Sequence, residues 1–260
     1  MVSLTAVDVA FYLPGDLPIY VFPLILGLGA TLGLGWSAWR APVGQAHRQV
    51  DAGLWALFGG LLGGRAAYAA FNWSYYRTHL EQVPAVYLGG LAWPGALAGS
   101  LLALALFAAA AHTSFGSLAD GLLPLLVTLT VSAWLGCWLE GCAYGALADT
   151  WWGMPARDEW GAFASRWPVQ FLGALLVLGA FLAIDLNRAR LRVPGQAAVL
   201  GAFSLSLEMF ALSFLRADPA LSWLGLRLDA WSGLACALLC ALGFVFLRKP
   251  EAPAGSETAA

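Results

Sequence analysis

Arg65 lies inside a long apolar run, Leu54 to Tyr68, where little else is polar. A guanidinium keeps its proton, so inside a bilayer it must face a partner, a water-filled cavity or an anionic ligand. The ligand that suits its forked donors is a phosphate, held by paired, charge-assisted hydrogen bonds. The bland alternative is a structural pair with Glu140 or Glu208, carboxylates that are costly on apolar helices unless paired or protonated. Further polar residues interrupt other apolar stretches: Glu140 with Tyr144 and Gly145, Gln170 behind Pro168, and Arg216 two residues before Asp218. Cys137 and Cys142 lack zinc-site spacing, and Cys236 and Cys240 share one helix face as small hydrophobes, so no metal is expected.

The elements that must position these residues are membrane helices. The chain is 60% hydrophobic and 11% charged, more apolar surface than a soluble domain can cover. Apolar runs near 19–39, 51–72, 88–111, 120–146, 168–186, 196–216 and 229–247 predict an all-α, seven-transmembrane-helix bundle. The fourth run is long and glycine-interrupted, so its outer end is expected to break or bend. Gly59/Gly63 and Gly60/Gly64 are overlapping small-residue pairs that let a neighbouring helix approach closely. Residues 1–249 form one transmembrane domain, and the Pro/Ala/Gly/Ser/Glu-rich tail over 250–260 is expected to be disordered and cytoplasmic. Met1 to Tyr20 contains no Lys or Arg and carries Asp8, Asp16, Pro14 and Pro18, which is unlike a secretory signal. A net charge of −2 argues against nucleic acid as a partner.

Orientation follows from the cationic loops. With the N-terminus outside, the inner segments hold Arg40, Arg48, Arg188, Arg190, Arg192, Arg248 and Lys249. The outer segments hold Arg77, Arg157, Arg166, Arg216 and Arg227, several beside acids. An N-out, C-in bundle then brings Tyr20, Arg65, Trp93, Glu140, Tyr144, Gly145, Gln170 and Arg216 to one depth, the outer leaflet. Such a gathering predicts a cavity open to that leaflet, with cations able to hold a lipid phosphate. Each residue has a plainer reading as well. Tyr20, Tyr144 and Trp93 are the aromatics expected at an interface. Arg216 with Asp218 makes a surface pair, Gln170 starts a helix, and His79 and Glu81 sit in a solvated loop.

Five stretches resemble the prolipoprotein diacylglyceryl transferases, integral enzymes of the bacterial inner membrane. They are GGRAAYAAFNWSYY (63–76), GGLAWPGALAG (89–99), GCWLEGCAYG (136–145), WPVQ (167–170) and FLRAD (214–218), in family order over nearly the whole chain. The resemblance retains Tyr20, Arg65, Tyr144, Gly145, Gln170 and Arg216. It places family histidines at Pro94 and Trp167, family arginines at Trp134 and Met209, and a family glutamate at Gly173.

The resemblance implies transfer of a diacylglyceryl group from phosphatidylglycerol to the lipobox cysteine thiol of a preprolipoprotein, with no cofactor. Tyr20, Tyr144, Gly145 and Gln170 would serve catalysis. Arg65, Arg216 and Glu140 would bind the substrate, phosphatidylglycerol or another anionic phospholipid. The protein would be multi-pass in the cytoplasmic (inner) membrane. The alternative is a catalytically inactive relative that binds phospholipid or a membrane-complex partner, since apolar bulk stands at Trp134 and Trp167.

Overall fold

A computed structural model describes residues 9–13, 17–86 and 89–247; the tail over 250–260 lies outside the described residues. The chain enters through a hairpin, β1 (Val9–Leu13) with β2 (Leu17–Tyr20), that leads directly into helix α1 (Val21–Arg40). Helix α2 (Ala46–Phe71) follows, then the single turn α3 (Trp73–Tyr76), α4 (Trp93–Ala110), the short α5 (Phe115–Gly121) and α6 (Leu123–Glu140). A second hairpin, β3 (Met154–Arg157) with β4 (Phe163–Arg166), precedes α7 (Val169–Leu186) and α8 (Gln196–Ser213). A third, β5 (Ser222–Trp223) with β6 (Leu226–Arg227), feeds α9 (Leu228–Phe246).

The long helices fall on the apolar runs. Six of them, α1, α4, α6, α7, α8 and α9, are long and apolar enough to cross a membrane. Their outward faces are rich in leucine, as with Leu28 and Leu32 of α1, Leu175 and Leu182 of α7, and Leu238 and Leu239 of α9. The protein is a multi-pass, mainly helical membrane protein. Helix α2 is as long as any, but Arg65 and its glycines dilute its apolar character.

Two details differ from the expectation. The run over 120–146 is not one helix. Proline lacks an N–H and fits only a first helical turn, so Pro124 starts α6 afresh after α5 ends at Gly121. The outer end breaks as expected: Gly141, at φ +74°, stops α6 in the left-handed conformation, and the Cys142 N–H returns to the Cys137 carbonyl at 2.9 Å. The hairpins are the second difference. Their strands are two to five residues long, too short to display a period-two pattern.

The helices meet through small residues. A Cβ on Gly63 of α2 would lie 2.3 Å from the Gly95 carbonyl oxygen of α4, and one on Gly99 would lie 2.2 Å from that of Gly59. Main chain therefore packs on main chain, as the paired glycines of α2 require. Ser100 Oγ adds a hydrogen bond to the Ala56 carbonyl at 2.8 Å. Helix α1 lies similarly on α6, where Gly29 and Gly33 face Ser132 and Thr128.

The two ends of the bundle differ. At one, Arg40 pairs with Asp185, and the Asp120 carboxylate caps α8 by accepting the Gly195 and Ala198 N–H groups at 2.8 Å each. At the other end, the starts of α1, α4, α7 and α9 meet the ends of α2, α6 and α8. The Ala92 N–H bonds the Gly64 carbonyl at 3.0 Å there, and Gly145 forms a bridge with Arg216.

Candidate active site

A cavity of about 430 Å³ opens at this second end. Its walls come from the last turn of α2 (Tyr68, Asn72), the entry to α4 (Trp93, Pro94), α6 (Thr130, Trp134, Cys137), α8 (Met209) and the start of α9. Most of the lining is apolar. Charge is confined to Arg216 and Asp229. An apolar cleft with a few polar groups at one place is the form of a lipid or small-molecule site. Trp93 adds an unusual group, a buried indole N–H with no hydrogen-bond partner among the described residues.

The polar rim is a four-charge cluster. Arg216 grips Asp218 with two parallel hydrogen bonds, Nε to Oδ1 at 2.8 Å and Nη2 to Oδ2 at 2.6 Å. Its Nη1 reaches Asp229 Oδ2 at 3.2 Å. Arg227 holds the same two acids, Asp218 at 3.2 Å and Asp229 at 3.4 Å, and donates to the Asp218 carbonyl at 2.6 Å. Burial alone would depress the Arg216 pKa, but Asp218 and Asp229 outweigh it and hold the group above its ordinary value. Two Arg-x-Asp pairs, 216/218 and 227/229, were visible in the sequence as a signal for this cluster.

Arg65 sits elsewhere. It is 4% exposed, and its guanidinium donates to the carbonyls of Val83 at 2.8 Å, Gln82 at 2.6 Å, Gly89 at 2.5 Å and Gly90 at 3.2 Å. Tyr68 and Tyr76 flank it, with ring centroids 5.9 and 5.3 Å from Cζ. Neither Glu140 nor Glu208 is its partner among the described residues. Main-chain carbonyls are, and they leave Arg65 off the cavity wall. Four of the donors that the sequence reading offers to a phosphate are thus engaged by main-chain carbonyls.

The remaining sequence candidates build the frame around the cavity. Tyr20 is the N-cap position of α1, and Glu140 Oε1 accepts the Phe22 N–H at 2.9 Å, tying the end of α6 to the start of α1. Gln170 is 1% exposed and donates to the Cys142 carbonyl at 3.0 Å. Tyr144 and Gly145 join the exit of α6 to that of α8: the Ala217 N–H bonds the Tyr144 carbonyl at 2.9 Å. The Tyr144 hydroxyl bonds Glu159, and Arg166 covers its ring, with Cζ 4.4 Å from the centroid. Burial, then the Glu159 carboxylate, pushes the Tyr144 pKa well above its usual range, so the phenol stays protonated. Of the residues expected to gather at this depth, Arg216 and Trp93 line the cavity.

Sequence reasoning missed Glu159, Arg166 and Asp229 as neighbours of these groups, because hairpin folding rather than helix register brings them in. The spacing of Cys137 and Cys142 excludes a zinc site but does not say what the two thiols do. They form a disulfide that staples the end of α6 across Gly141, and both line the cavity.

Residues 8–247 match the sequence profile of the prolipoprotein diacylglyceryl transferase family. The chain is similar to the phosphatidylglycerol–prolipoprotein diacylglyceryl transferase of Nitratidesulfovibrio vulgaris, 30% identical over 248 residues, which is 91% of this chain and 89% of that protein. It is similar to that of Thermosynechococcus vestitus, 28% identical over 218 residues, covering 78% of this chain and 80% of that protein. It is also similar to enzyme 1 of this name from Streptomyces coelicolor, 27% identical over 261 residues, covering 95% of this chain and 76% of that protein.

Proposed function

We infer the activity from one premise: the chain belongs to the prolipoprotein diacylglyceryl transferase family. The protein transfers the diacylglyceryl group of phosphatidylglycerol to the cysteine thiol of a prolipoprotein. The sulfur attacks the glycerol carbon that carries the phosphate ester. A C–S bond forms as the C–O bond breaks, glycerol 1-phosphate leaves with the bonding pair, and the thiol proton ends on that phosphate. The chemistry needs a dry apolar site for the acyl chains and a cation where charge builds on the departing oxygen. The observation that carries this reading is the apolar cavity with Arg216 at its rim.

Asp218 holds Arg216 by a bidentate grip, whereas Asp229 reaches it through a single 3.2 Å contact and is also held by Arg227. A lipid phosphate enters by taking the Nη1 donor from Asp229. The Trp93 N–H offers a second donor on the same wall. Tyr20, Glu140, Tyr144, Gly145 and Gln170 act by holding the ends of α1, α6, α7 and α8 in place, and Arg65 acts by fixing the segment over 82–90.

The same reading makes α2 a seventh span, because it lies along α4 through its glycine seam. Residues 1–249 are then one transmembrane domain in the bacterial inner membrane, N-out and C-in. Two observations support that orientation. The disulfide lies at the cavity end, which suits the oxidising outer side, and Arg188, Arg190 and Arg192 lie toward the other end. The tail over 250–260 is cytoplasmic.

The test is a purified protein in phosphatidylglycerol nanodiscs with a lipobox peptide. The peptide should gain the mass of a diacylglyceryl group as glycerol 1-phosphate appears, and Arg216→Gln should suppress both. Absence of the adduct with the wild-type protein, where a relative of the family produces it, would sink the proposal.

A further inference from the structure

Trp134 is fixed from two sides at the deep end of the cavity. It walls that end with Thr130 and Met209, while Arg216 and Asp229 mark the rim. Its indole N–H donates to Glu208 Oε1 of α8 at 2.7 Å, with both residues buried. Behind the ring lies Gly173 of α7. A Cβ there would stand 2.3 Å from Trp134 Cε2 and 2.5 Å from Nε1, so the indole occupies space that only glycine leaves open. A carboxylate on an apolar helix is costly, and packing an aromatic ring does not require one. The pairing does supply direction: the hydrogen bond sets the angle of the indole plane, and Gly173 sets how far it retreats from the cavity.

We propose that Trp134 is a specificity residue, a fixed stop that sets the length of acyl chain the cavity accepts, with Glu208 and Gly173 as positioning residues. The proposal rests on the reading of this cavity as the diacylglyceryl site. A chain enters past Arg216 and runs toward Thr130. From Cys137 to Thr130 the wall of α6 extends about 10 Å at 1.5 Å per residue. A rigid indole at that depth is a harder limit than a flexible side chain, because two χ angles and one hydrogen bond leave it a single pose.

The test reads the lipid that is held, so it needs no turnover. Wild type and variants are equilibrated with a mixture of short-, medium- and long-chain phosphatidylglycerols, and the bound species are profiled by mass spectrometry. Trp134→Ala should enrich long chains several-fold. Gly173→Ala should enrich short ones, since its methyl drives the ring toward the cavity it lines. Glu208→Gln keeps an acceptor oxygen for the indole and should preserve the wild-type profile, whereas Glu208→Leu should broaden it. If Gly173→Ala fails to fold, Trp134→Leu takes its place and should shift the profile in the same direction as Trp134→Ala. An unchanged profile in the Trp134 variants overturns the proposal. Peptide transfer by the wild type, measured beside it, separates the two ideas. Transfer with unshifted profiles removes the stop and leaves the enzyme. Shifted profiles without transfer keep the stop and remove the enzyme. A wild type that holds no phosphatidylglycerol removes both.

Discussion

Arg65, buried, and Arg216, half-buried, are cations near the same end of the bundle, and they are satisfied in opposite ways. Arg65 spends its donors on four main-chain carbonyls between Gln82 and Gly90. Arg216 spends its donors on the carboxylates of Asp218 and Asp229. A carbonyl cannot move away without refolding its segment, so a ligand that takes these donors from Arg65 must refold the loop over 82–90. A carboxylate side chain can turn to a second cation, and Arg227 is there to receive it. The difference separates an arginine that builds a site from one that can serve it. The identity of the acceptor, more than the depth of the cation, decides which role an intramembrane arginine plays.

The strongest way to break that contrast is Arg65→Ala. It strands carbonyls at about 1–3 kcal/mol each, so thermal stability and transfer should fall together. Arg65→Lys, a point charge with fewer donors, should recover only part of both. A stable Arg65→Ala protein that merely loses phospholipid would reverse the assignment. Arg216→Gln comes next and should behave differently. Loss of a positioned cation in a dry site costs about two to three decades in rate, while Arg227 still pairs with both acids, so the melting temperature should move less than at Arg65. Equal losses of stability at the two arginines would erase the distinction. Replacing Cys137 and Cys142 together by serine opens the staple beside Arg216 and should cost about 2 kcal/mol by loop entropy, read from chemical denaturation. No loss would mean that Gly141 and Gln170 hold the end of α6 unaided. The smallest effect is expected from Asp229→Asn, which removes the weaker competitor for Arg216 and should raise retention of phosphatidylglycerol a few-fold. Weaker retention would place Asp229 on the ligand side of the contest.

The helices were legible because apolar runs report membrane spans directly, and the glycines of α2 named their own partner surface. The gathering of polar residues at one end was legible too, since topology alone assigns depth. What each residue faces was not. Arg65 looked like a ligand-binding cation because its acceptors are backbone carbonyls in a loop, which have no residue type to read. Glu140 turns to the start of α1 and Tyr144 to a hairpin acid, contacts set by helix rotation and by strands too short to leave a pattern. At Trp134 the sequence shows only apolar bulk, because Gly173 and Glu208 reach it from two other helices.

The seam between α2 and α4 has a mechanical meaning as well. Where main chain touches main chain at Gly59, Gly63, Gly95 and Gly99, no rotamers are available to rearrange. These two helices cannot slide by fractions of a turn under load; they can only stay together or come apart. That flank of the cavity is a hinge plate of constant width. The breathing that admits a two-tailed lipid from the side must therefore be supplied by helices whose contacts are made of side chains.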